Sequence, residues 1–356
     1  MSPYRALVEA VWVNDAAWAN ALAALPPEMH DVYFSPAYHR LHREDAGCVV
    51  VSEGDARLIV PGLLHAIPGE TGLWDLQTCN GYGGPLASAG AAPEWLARAW
   101  DAWREAAAAR GVVAAFFRLH PLIDNRGLLP PDATVVDDRE MVTIDLSAGA
   151  AGAFEAADSR FRNKVRRAER DKMEVRWDAP EDWPAFEALY ADAMERLGAV
   201  EALRFGADYF AALRSLPGAR LAAIHDAGGL LVGAVFLEGA RHWYYHLGAR
   251  RPAEENLAMS FLFHRATQRA AEAGALGLHL GGGATPAPDD SLLRFKRLFS
   301  PMRPRFHVAR VIADRDRFAK LLKAWEARAG RPPRWLLGYR EPAPPPAVGP
   351  AASGTP

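Results

Sequence analysis

A lysine within a short apolar helix is the most unusual reactive group of this sequence. Residues 281–299 read GGGATPAPDDSLLRFKRLF, a glycine-rich turn followed by a predicted helix with Asp289 or Asp290 as its N-cap. At 100° per residue, Lys296 falls inside the apolar arc formed by Leu292, Leu293, Phe295, Leu298 and Phe299. A buried ammonium is costly unless it is paired. We therefore expect Lys296 either to extend to water or to meet an anion or a developing oxyanion in a cleft.

The residues around this lysine limit the kinds of ligand site that it could belong to. Arg294 and Arg297 are expected to point toward solvent, and Arg294 is a candidate substrate contact. The turn Gly281, Gly282 and Gly283 has neither the G-x-G-x-x-G spacing of a dinucleotide site nor the lysine of a Walker loop. It indicates a backbone that bends tightly or approaches a ligand, with an anion nest as the alternative. Gly282 and Gly283 are the candidate ligand contacts.

A second concentration of positive charge lies in the segment DSRFRNKVRRAERDK, which is predicted to form a helix from about Ser159. Its apolar residues form only a narrow seam, and cations flank that seam on both sides. Like charges at i, i+4 repel by roughly 0.2–0.5 kcal/mol per pair, and an anion would relieve that repulsion. Arginine suits phosphate or pyrophosphate because its fork geometry is bidentate. The alternative is a solvated helix face balanced by Glu169 and Asp171.

Composition limits the possible classes of protein. A chain of 356 residues, half of them hydrophobic, is long enough for two domains. The formal net charge of −2 argues against a general nucleic-acid coat protein. Cys48 and Cys79 are the only cysteines, which excludes a disulfide framework and a cysteine zinc site. Without a signal peptide or a membrane span, the sequence predicts a cytoplasmic protein with at most peripheral membrane contact.

The order of predicted elements is similar in the two halves of the chain. Each half contains helices, a run of strands, a longer helix and a further strand, a pattern typical of the α/β (α+β) class. We predict an N-terminal domain over residues 1–150 and a C-terminal domain over 151–340. The proline-rich residues 341–356 are predicted to be a disordered tail.

Several motifs together resemble the Fem family of peptidoglycan-bridge aminoacyl transferases and the broader acetyltransferase-like proteins related to it. They are YGGPL, RLHPL, RxRNKVRRAER, YYHLGA and GGG followed by DSLLRFKRLF, and the resemblance covers about residues 30–312. It implies two fused GNAT-like domains, each a mixed sheet flanked by helices, with a substrate channel between them. It also implies transfer of an acyl or aminoacyl group to an amine. Characterised members use charged tRNA and add to the stem peptide of a peptidoglycan precursor.

The resemblance assigns expected roles to particular residues. Lys296 would be catalytic, stabilising the oxyanion of acyl transfer or the phosphates beside it. Arg162 and Arg166 would grip the diphosphate of a nucleotide-linked or lipid-linked acceptor. Tyr82 and Gly83 would form a wall of the acceptor cleft, and a packed turn is the alternative for them.

The strand RHWYYHLGA would lie where the sheet opens to receive the acyl donor in such a fold. Alternation places His242, Tyr244 and His246 on one face and Trp243, Tyr245 and Leu247 on the other. Tyr244 or Tyr245 is a candidate to orient the acceptor, and His246 is a candidate base near neutral pH, with a structural histidine as its alternative. The sequence leaves open which face lines the channel.

These observations predict an enzyme that moves an aminoacyl or acyl group to an amine of an anionic, peptidoglycan-type cell-envelope precursor. No tightly bound cofactor and no metal are expected, and the donor is aminoacyl-tRNA or acyl-CoA. The chain lacks the long helical hairpin associated with tRNA handling, and ARRPAEENLA replaces the glycine-rich pyrophosphate loop typical of a CoA-dependent N-acetyltransferase. Such an acetyltransferase, acting in envelope or exopolysaccharide synthesis, is the first alternative. A non-catalytic binder of an anionic envelope precursor is the second.

Overall fold

The computed structural model describes residues 8–42, 45–252 and 256–342. Its strands are β1 (Glu9–Val13), β2 (Ala46–Glu53), β3 (Ala56–Ala66), β4 (Trp74–Gln77), β5 (Leu86–Ala87), β6 (Val112–Arg118), β7 (Thr134–Glu140), β8 (Val142–Asp145), β9 (Arg176–Trp177), β10 (Ala219–Asp226), β11 (Gly229–Glu238), β12 (His242–Arg250), β13 (Gly277–Gly281) and β14 (Arg305–Ile312). Its α-helices are α1 (Asp15–Ala23), α2 (Pro36–Arg40), α3 (Pro93–Ala109), α4 (Gly149–Ala156), α5 (Ser159–Arg170), α6 (Asp182–Arg196), α7 (Ala207–Ser215), α8 (Leu257–Glu272), α9 (Ser291–Lys296) and α10 (Arg315–Ala329).

The strands form two mixed sheets with matching topology. The 8-stranded sheet has the order β1-β2-β3-β4-β6-β14-β7, with β5 paired to β3, and the 6-stranded sheet has the order β8-β13-β12-β11-β10-β9. In each sheet an antiparallel meander leads to one parallel pair, β4 with β6 and β12 with β13. An antiparallel strand then follows in both sheets. The predicted mixed α/β class with two similar halves is confirmed.

Helices cover the sheets with the apolar faces that their sequences specify. In α3, Trp95, Trp100 and Trp103 are buried against the first sheet. On the second sheet, α8 packs between the strands and α5, and the predicted seam of α5 is buried. These helices hold one face of each sheet rigidly, so the strand ends can carry a site.

The two sheets do not divide at the predicted boundary near residue 150. Strand β8, which precedes that boundary, pairs with β13 in the second sheet. Strand β14, predicted as part of the C-terminal domain, lies between β6 and β7 in the first sheet. Helix α10 follows β14 and packs beside β6, with Phe318 and Trp325 in the same apolar cluster as Val113. Each sheet is thus completed by a strand from the other half of the chain.

The segment after α10 is fixed to the first sheet by a buried carboxylate. Asp75 in β4 is fully buried and accepts hydrogen bonds from Tyr339 Oη, at 2.5 Å, and from Arg340. Burial raises the pKa of Asp75, and Arg340 opposes that shift. Glu341 is also buried and accepts the backbone N–H of Trp335 at 3.2 Å. The ordered chain therefore extends past the predicted start of the tail at residue 341, and residues 343–356 of that tail lie outside the described residues.

Within the described part of the chain, none of the helices combines the length and the apolar character that crossing a bilayer would need.

Tyr339→Phe tests the attachment of this segment. Removing the hydroxyl leaves the buried Asp75 carboxylate short of one donor, so the free energy of unfolding should fall by about 1–3 kcal/mol. Urea denaturation at neutral pH measures the change. Trp335→Phe is the matched control, because Trp335 is 55% exposed and should have little effect. An unaltered unfolding free energy in Tyr339→Phe would contradict the attachment.

Candidate active site

The second sheet opens between β12 and β13. These parallel strands pair only from His242 with Gly277 to Tyr244 with His279, and beyond that point they separate. A bulge begins there, because Phe236 of β11 pairs with Tyr245 while Val235 pairs with Leu247, so His246 is the extra residue. The bulge bends β12 away from β13, and the carboxyl ends of the strands face an open cleft.

A cavity of about 650 Å³ occupies this opening. Such a volume is typical of sites that hold a small organic ligand or a cofactor. The cavity is bounded by the end of α6, the end of β12, the start of α8 and helix α9. Its lining includes Met194, Arg196, Tyr245, Met259, Phe295 and Lys296.

Lys296 is the buried cation of this cavity. Lys296 is only 5% exposed, and its Nζ donates a hydrogen bond to the backbone oxygen of Gly282 at 2.7 Å. Nζ also lies 5.5 Å from the centroid of the Tyr245 ring, in position for a cation–π contact. Burial lowers the pKa of Lys296 to about 7, and the charge of Asp290 opposes the shift. The predicted position on an apolar face is confirmed, and the amine is in a cleft.

The glycine-rich turn holds this lysine in place. Asp290 caps α9, because its carboxylate accepts a hydrogen bond from the backbone N–H of Leu293 at 3.0 Å. The same carboxylate accepts hydrogen bonds from the backbone N–H groups of Ala284, at 3.2 Å, and Thr285, at 3.1 Å. A Cβ on Gly283 would lie 2.5 Å from Asp290 Oδ1, so this backbone approaches the carboxylate too closely for a side chain. Because Asp290 already binds these backbone amides, they favour the interpretation of the segment as a tightly bent turn over its interpretation as an anion nest.

Gly282 packs too closely against Glu140 and Met141 to carry a side chain. A Cβ there would be 2.9 Å from Met141 Sδ and 3.0 Å from the backbone oxygen of Glu140. Because Gly282 has no side chain, the turn lies against the end of β7 while the Gly282 carbonyl faces Lys296.

Arg297, expected to face solvent, instead forms an ion pair with Glu140 at 2.8 Å. Arg294 is exposed as expected and does not line the cavity.

Tyr245, and not Tyr244, faces the cavity. Tyr245 lines it beside Lys296 and packs against Phe263 of α8. The bulge also changes the alternation that the sequence predicted, because Leu247 shares an apolar cluster with Tyr244 rather than with Trp243. A Cβ on Gly248 would lie 2.2 Å from Tyr245 Oη, so the ring requires a glycine at that position.

Tyr244 belongs to a polar network between the two halves of the protein. Its hydroxyl donates to Asp31 Oδ2 at 2.6 Å and lies 3.1 Å from His120 Nε2. Nδ1 of His120 accepts the backbone N–H groups of Leu122 and Ile123, at 3.2 and 3.0 Å, which places the ring proton on Nε2. Burial raises the pKa of Asp31 to about 7, and hydrogen bonds from Tyr244 and from backbone amides oppose it.

His246 also faces the interior between the halves. Its Nε2 is 2.6 Å from Tyr209 Oη, and it is not among the residues that line the cavity. Burial lowers the pKa of His246 to about 3, so the ring is neutral at pH 7. This environment matches the structural alternative, and a role for His246 as base stays a prediction.

Tyr82 connects the first half of the chain to the cavity wall. Its hydroxyl is 2.8 Å from His279 Nε2, and His279 Nδ1 is 2.8 Å from Thr143 Oγ1. A Cβ on Gly281 would lie 3.6 Å from both Tyr82 Oη and Lys296 Nζ, so the two groups approach the same glycine from the side where a Cβ would project. Tyr82 is thus near the lysine but is not among the residues that line the cavity, and its role as a cleft wall stays a prediction.

Gly83 has a packing role in this turn. Its carbonyl accepts Asn125 Nδ2 at 2.8 Å, and a Cβ there would be 2.6 Å from Thr78 Cγ2. Sequence reasoning missed Asp31, His120 and His279. The sequence does place His120 in the motif RLHPL and His279 in a buried strand, and polar residues within such apolar runs are the signal that could have found them.

The arginines of α5 are not brought to the cavity. Arg162 Nη1 donates to the backbone oxygens of Glu155 and Ala157, at 2.7 and 2.6 Å, and so satisfies the carbonyl end of α4. Arg166 is exposed, with its guanidinium 5.8 Å from the ring of Phe154. Phosphate binding by Arg162 and Arg166 stays a prediction, and Arg162 has a structural use.

Comparison with known proteins agrees with this geometry. Residues 157–297, which include α5, the opened sheet and Lys296, match the family described as acetyltransferase (GNAT) domain. The predicted GNAT-type acyltransferase domain is confirmed for this part of the chain. No curated protein matches the chain.

Solved structures show the same fold over most of the chain. FemX superposes with a TM-score of 0.62 at 13% identity, covering 85% of this chain and 96% of that one. The C-terminal domain of a putative lysylphosphatidylglycerol synthetase from Agrobacterium fabrum gives a TM-score of 0.56 at 16% identity, covering 87% and 95%. A conserved protein of unknown function from Bacteroides thetaiotaomicron gives 0.56 at 11% identity, covering 86% and 100%. The similarity to a Fem-type protein, suggested by the motifs, is thus confirmed for the fold.

Arg162→Ala should lower the free energy of unfolding by about 0.5–2 kcal/mol, because two backbone carbonyls at the end of α4 lose their donor. Arg166→Ala removes an exposed group and should change it by less than about 0.5 kcal/mol. Chemical denaturation of both variants provides the comparison. If Arg162→Ala keeps full stability but loses affinity for pyrophosphate, the ligand role would replace the structural one.

Lys296→Met should stabilise the protein in a pH-dependent manner. In the folded state the pKa of Lys296 is about 7, below the ordinary value of 10.5. Between these two pH values the unfolded state binds more protons than the folded state. The destabilisation of the fold by the buried lysine therefore becomes smaller as the pH rises from 7 to 10.5. The variant should gain roughly 2–4 kcal/mol near pH 6, with the lost hydrogen bond included, and less near pH 10. Thermal unfolding across this pH range measures it. A gain independent of pH would show that Lys296 does not titrate with a lowered pKa.

Proposed function

We propose that this protein transfers an acyl or aminoacyl group from an activated ester or thioester to an amine of an anionic cell-envelope precursor. The observation that carries the proposal is the buried Lys296 amine, which lines the cavity at the opening between β12 and β13. The match of this region to a GNAT domain supports the reaction class.

The reaction balances without a metal or a redox partner. The neutral amine of the acceptor attacks the acyl carbon, forming a C–N bond and an oxyanion. The oxyanion collapses, the C–O or C–S bond breaks, and the leaving oxygen or sulfur takes the proton that the amine loses. As an ammonium, Lys296 stabilises the oxyanion most strongly in the transition state, because its charge is buried in a largely apolar cavity.

The proposed acceptor lies toward the first half of the protein. Tyr82 and Lys296 both approach Gly281, and Tyr245 is beside the lysine within the cavity. An anionic envelope precursor is supported by the motif resemblance and by the name of the Agrobacterium fabrum protein, a putative lysylphosphatidylglycerol synthetase. A cytoplasmic site of action is part of this proposal.

A screen against candidate substrates tests the proposal. The purified protein is incubated with nucleotide-linked and lipid-linked peptidoglycan precursors, together with acyl-CoA or charged tRNA, and products are analysed by mass spectrometry. A new amide on the precursor that Lys296→Ala fails to form is the expected result. Thermal shifts measure binding separately. Precursor binding without any transfer would favour the non-catalytic binder.

The pH dependence of transfer tests the role of the ammonium. In the free enzyme the pKa of Lys296 is about 7, so kcat/KM should fall as the pH rises through that value and the amine loses its charge. Lys296→Arg keeps a positive charge to much higher pH, so the falling limb should move up by at least about one pH unit even if the rate is lower. A falling limb near pH 7 in both proteins would assign it to another group.

A further inference from the structure

We infer that the transferred group is an apolar acyl chain rather than an aminoacyl group, and that this chain lies in the cavity beside Lys296. The inference rests on the proposed transfer function and narrows its donor. Three observations carry it: the lining of the cavity, the sign of its charges and the apolar rim at its edge.

The walls of the cavity are predominantly apolar. Helix α6 contributes Met194, α8 contributes Met259 and Phe263, and α9 contributes Leu292 and Phe295. Tyr245 and Lys296 are adjacent in this lining, with Nζ 5.5 Å from the tyrosine ring centroid, and an acyl carbonyl would meet the lysine amine there. A chain that continues from that carbonyl would contact aliphatic and aromatic surface, and its burial is favourable in proportion to the area removed from water.

The charges on the described residues of the lining disfavour an aminoacyl group. Among the described residues that line it, the charged ones are Arg196, Arg250 and Lys296, all basic, and none is a carboxylate. An aminoacyl ester carries an ammonium on the carbon next to its carbonyl. With the carbonyl at Lys296, that ammonium would be next to a second cation, and like charges repel. The carbonyl of Gly282, which faces the lysine, already accepts a hydrogen bond from Lys296 Nζ at 2.7 Å.

The apolar lining continues outward along one edge. Leu197, which lines the cavity at the end of α6, is 75% exposed, and Val200 and Leu203 in the following segment are 66% and 39% exposed. Leu292 of α9 is 38% exposed. Isolated exposed leucines are ordinary, but several in one short segment at a cavity mark a surface that an apolar ligand covers. An acetyl group is too short to reach this rim.

Two carriers would present such a chain with the same thioester chemistry, coenzyme A and the pantetheine arm of a carrier protein. Arg196 is exposed at the cavity and donates to the backbone oxygen of Arg250 at 3.3 Å, so positive charge lies where a phosphate-bearing carrier would approach. The shared requirement is a pantetheine thioester with an apolar chain.

A chain-length series tests the inference. Affinities of the full chain for acetyl-, butyryl-, octanoyl- and dodecanoyl-CoA, octanoyl-pantetheine and a non-hydrolysable alanyl-adenosine amide are measured by calorimetry. The octanoyl thioester should bind at least about tenfold more tightly than the acetyl thioester, and the alanyl amide most weakly. Equal affinity for acetyl and octanoyl groups, or preference for the alanyl amide, would overturn the inference. If octanoyl-CoA binds more strongly than octanoyl-pantetheine, the result supports an apolar acyl chain carried by coenzyme A. If the two bind equally, the result supports an apolar acyl chain carried by the pantetheine arm of a carrier protein.

Leu292→Glu, with Leu276→Glu as its matched control, locates the chain. Leu292 lines the cavity and is 38% exposed, whereas Leu276 is 44% exposed and lies outside the lining, so both exchanges introduce the same charge at partly exposed positions. Leu292→Glu should weaken octanoyl binding about tenfold or more, and Leu276→Glu should leave it unchanged. Equal effects would overturn the placement. Length-dependent binding without transfer to any amine would refute the proposed function alone, while transfer only from aminoacyl esters would refute only this inference.

Discussion

The separation of two parallel strands governs the site. Hydrogen bonding between β12 and β13 stops after Tyr244, and the bulge at His246 directs the rest of β12 away from its neighbour. The space between the strands is closed by α9 and its glycine turn, which bring a lysine side chain into an apolar enclosure. Among the described residues, the hydrogen-bond partner of this amine is the Gly282 carbonyl. Burial of an amine with so little polar contact favours either loss of the proton or the arrival of negative charge.

The same bulge divides the tyrosines of one strand between two tasks. Tyr245 faces the cavity, and Tyr244 enters the network of Asp31 and His120 that joins the two halves of the protein. That network is fully buried, and each of its polar groups has a defined partner. Such networks are costly to disrupt. The geometry at the cavity therefore depends on contacts made by the first half of the chain, and the two sheets act as one support.

Sequence reasoning recovered what depends on local periodicity. The helical wheel placed Lys296 among apolar residues, and the seam of α5 was found in the same way, because both features repeat within a helix. Strand alternation gave the correct faces until the bulge moved Leu247, since an inserted residue breaks a period of two. The structural use of Arg162 was not accessible, because it depends on α4, whose glycine- and alanine-rich sequence GAAGAFEA carries a weak signal. The pairing of β8 and β14 with distant sheets is set by tertiary contacts that no local pattern encodes.

The crossing of β8 and β14 between the sheets has a consequence for the order in which this protein is made. A ribosome that has released the chain up to residue 300 has not yet supplied β14, so the first sheet has a gap between β6 and β7 until that strand emerges. Non-local pairing of this kind closes a long loop late, and long-range contacts slow folding. Nascent first halves therefore expose the unpaired edges of β6 and β7, which are the kind of surface that chaperones protect.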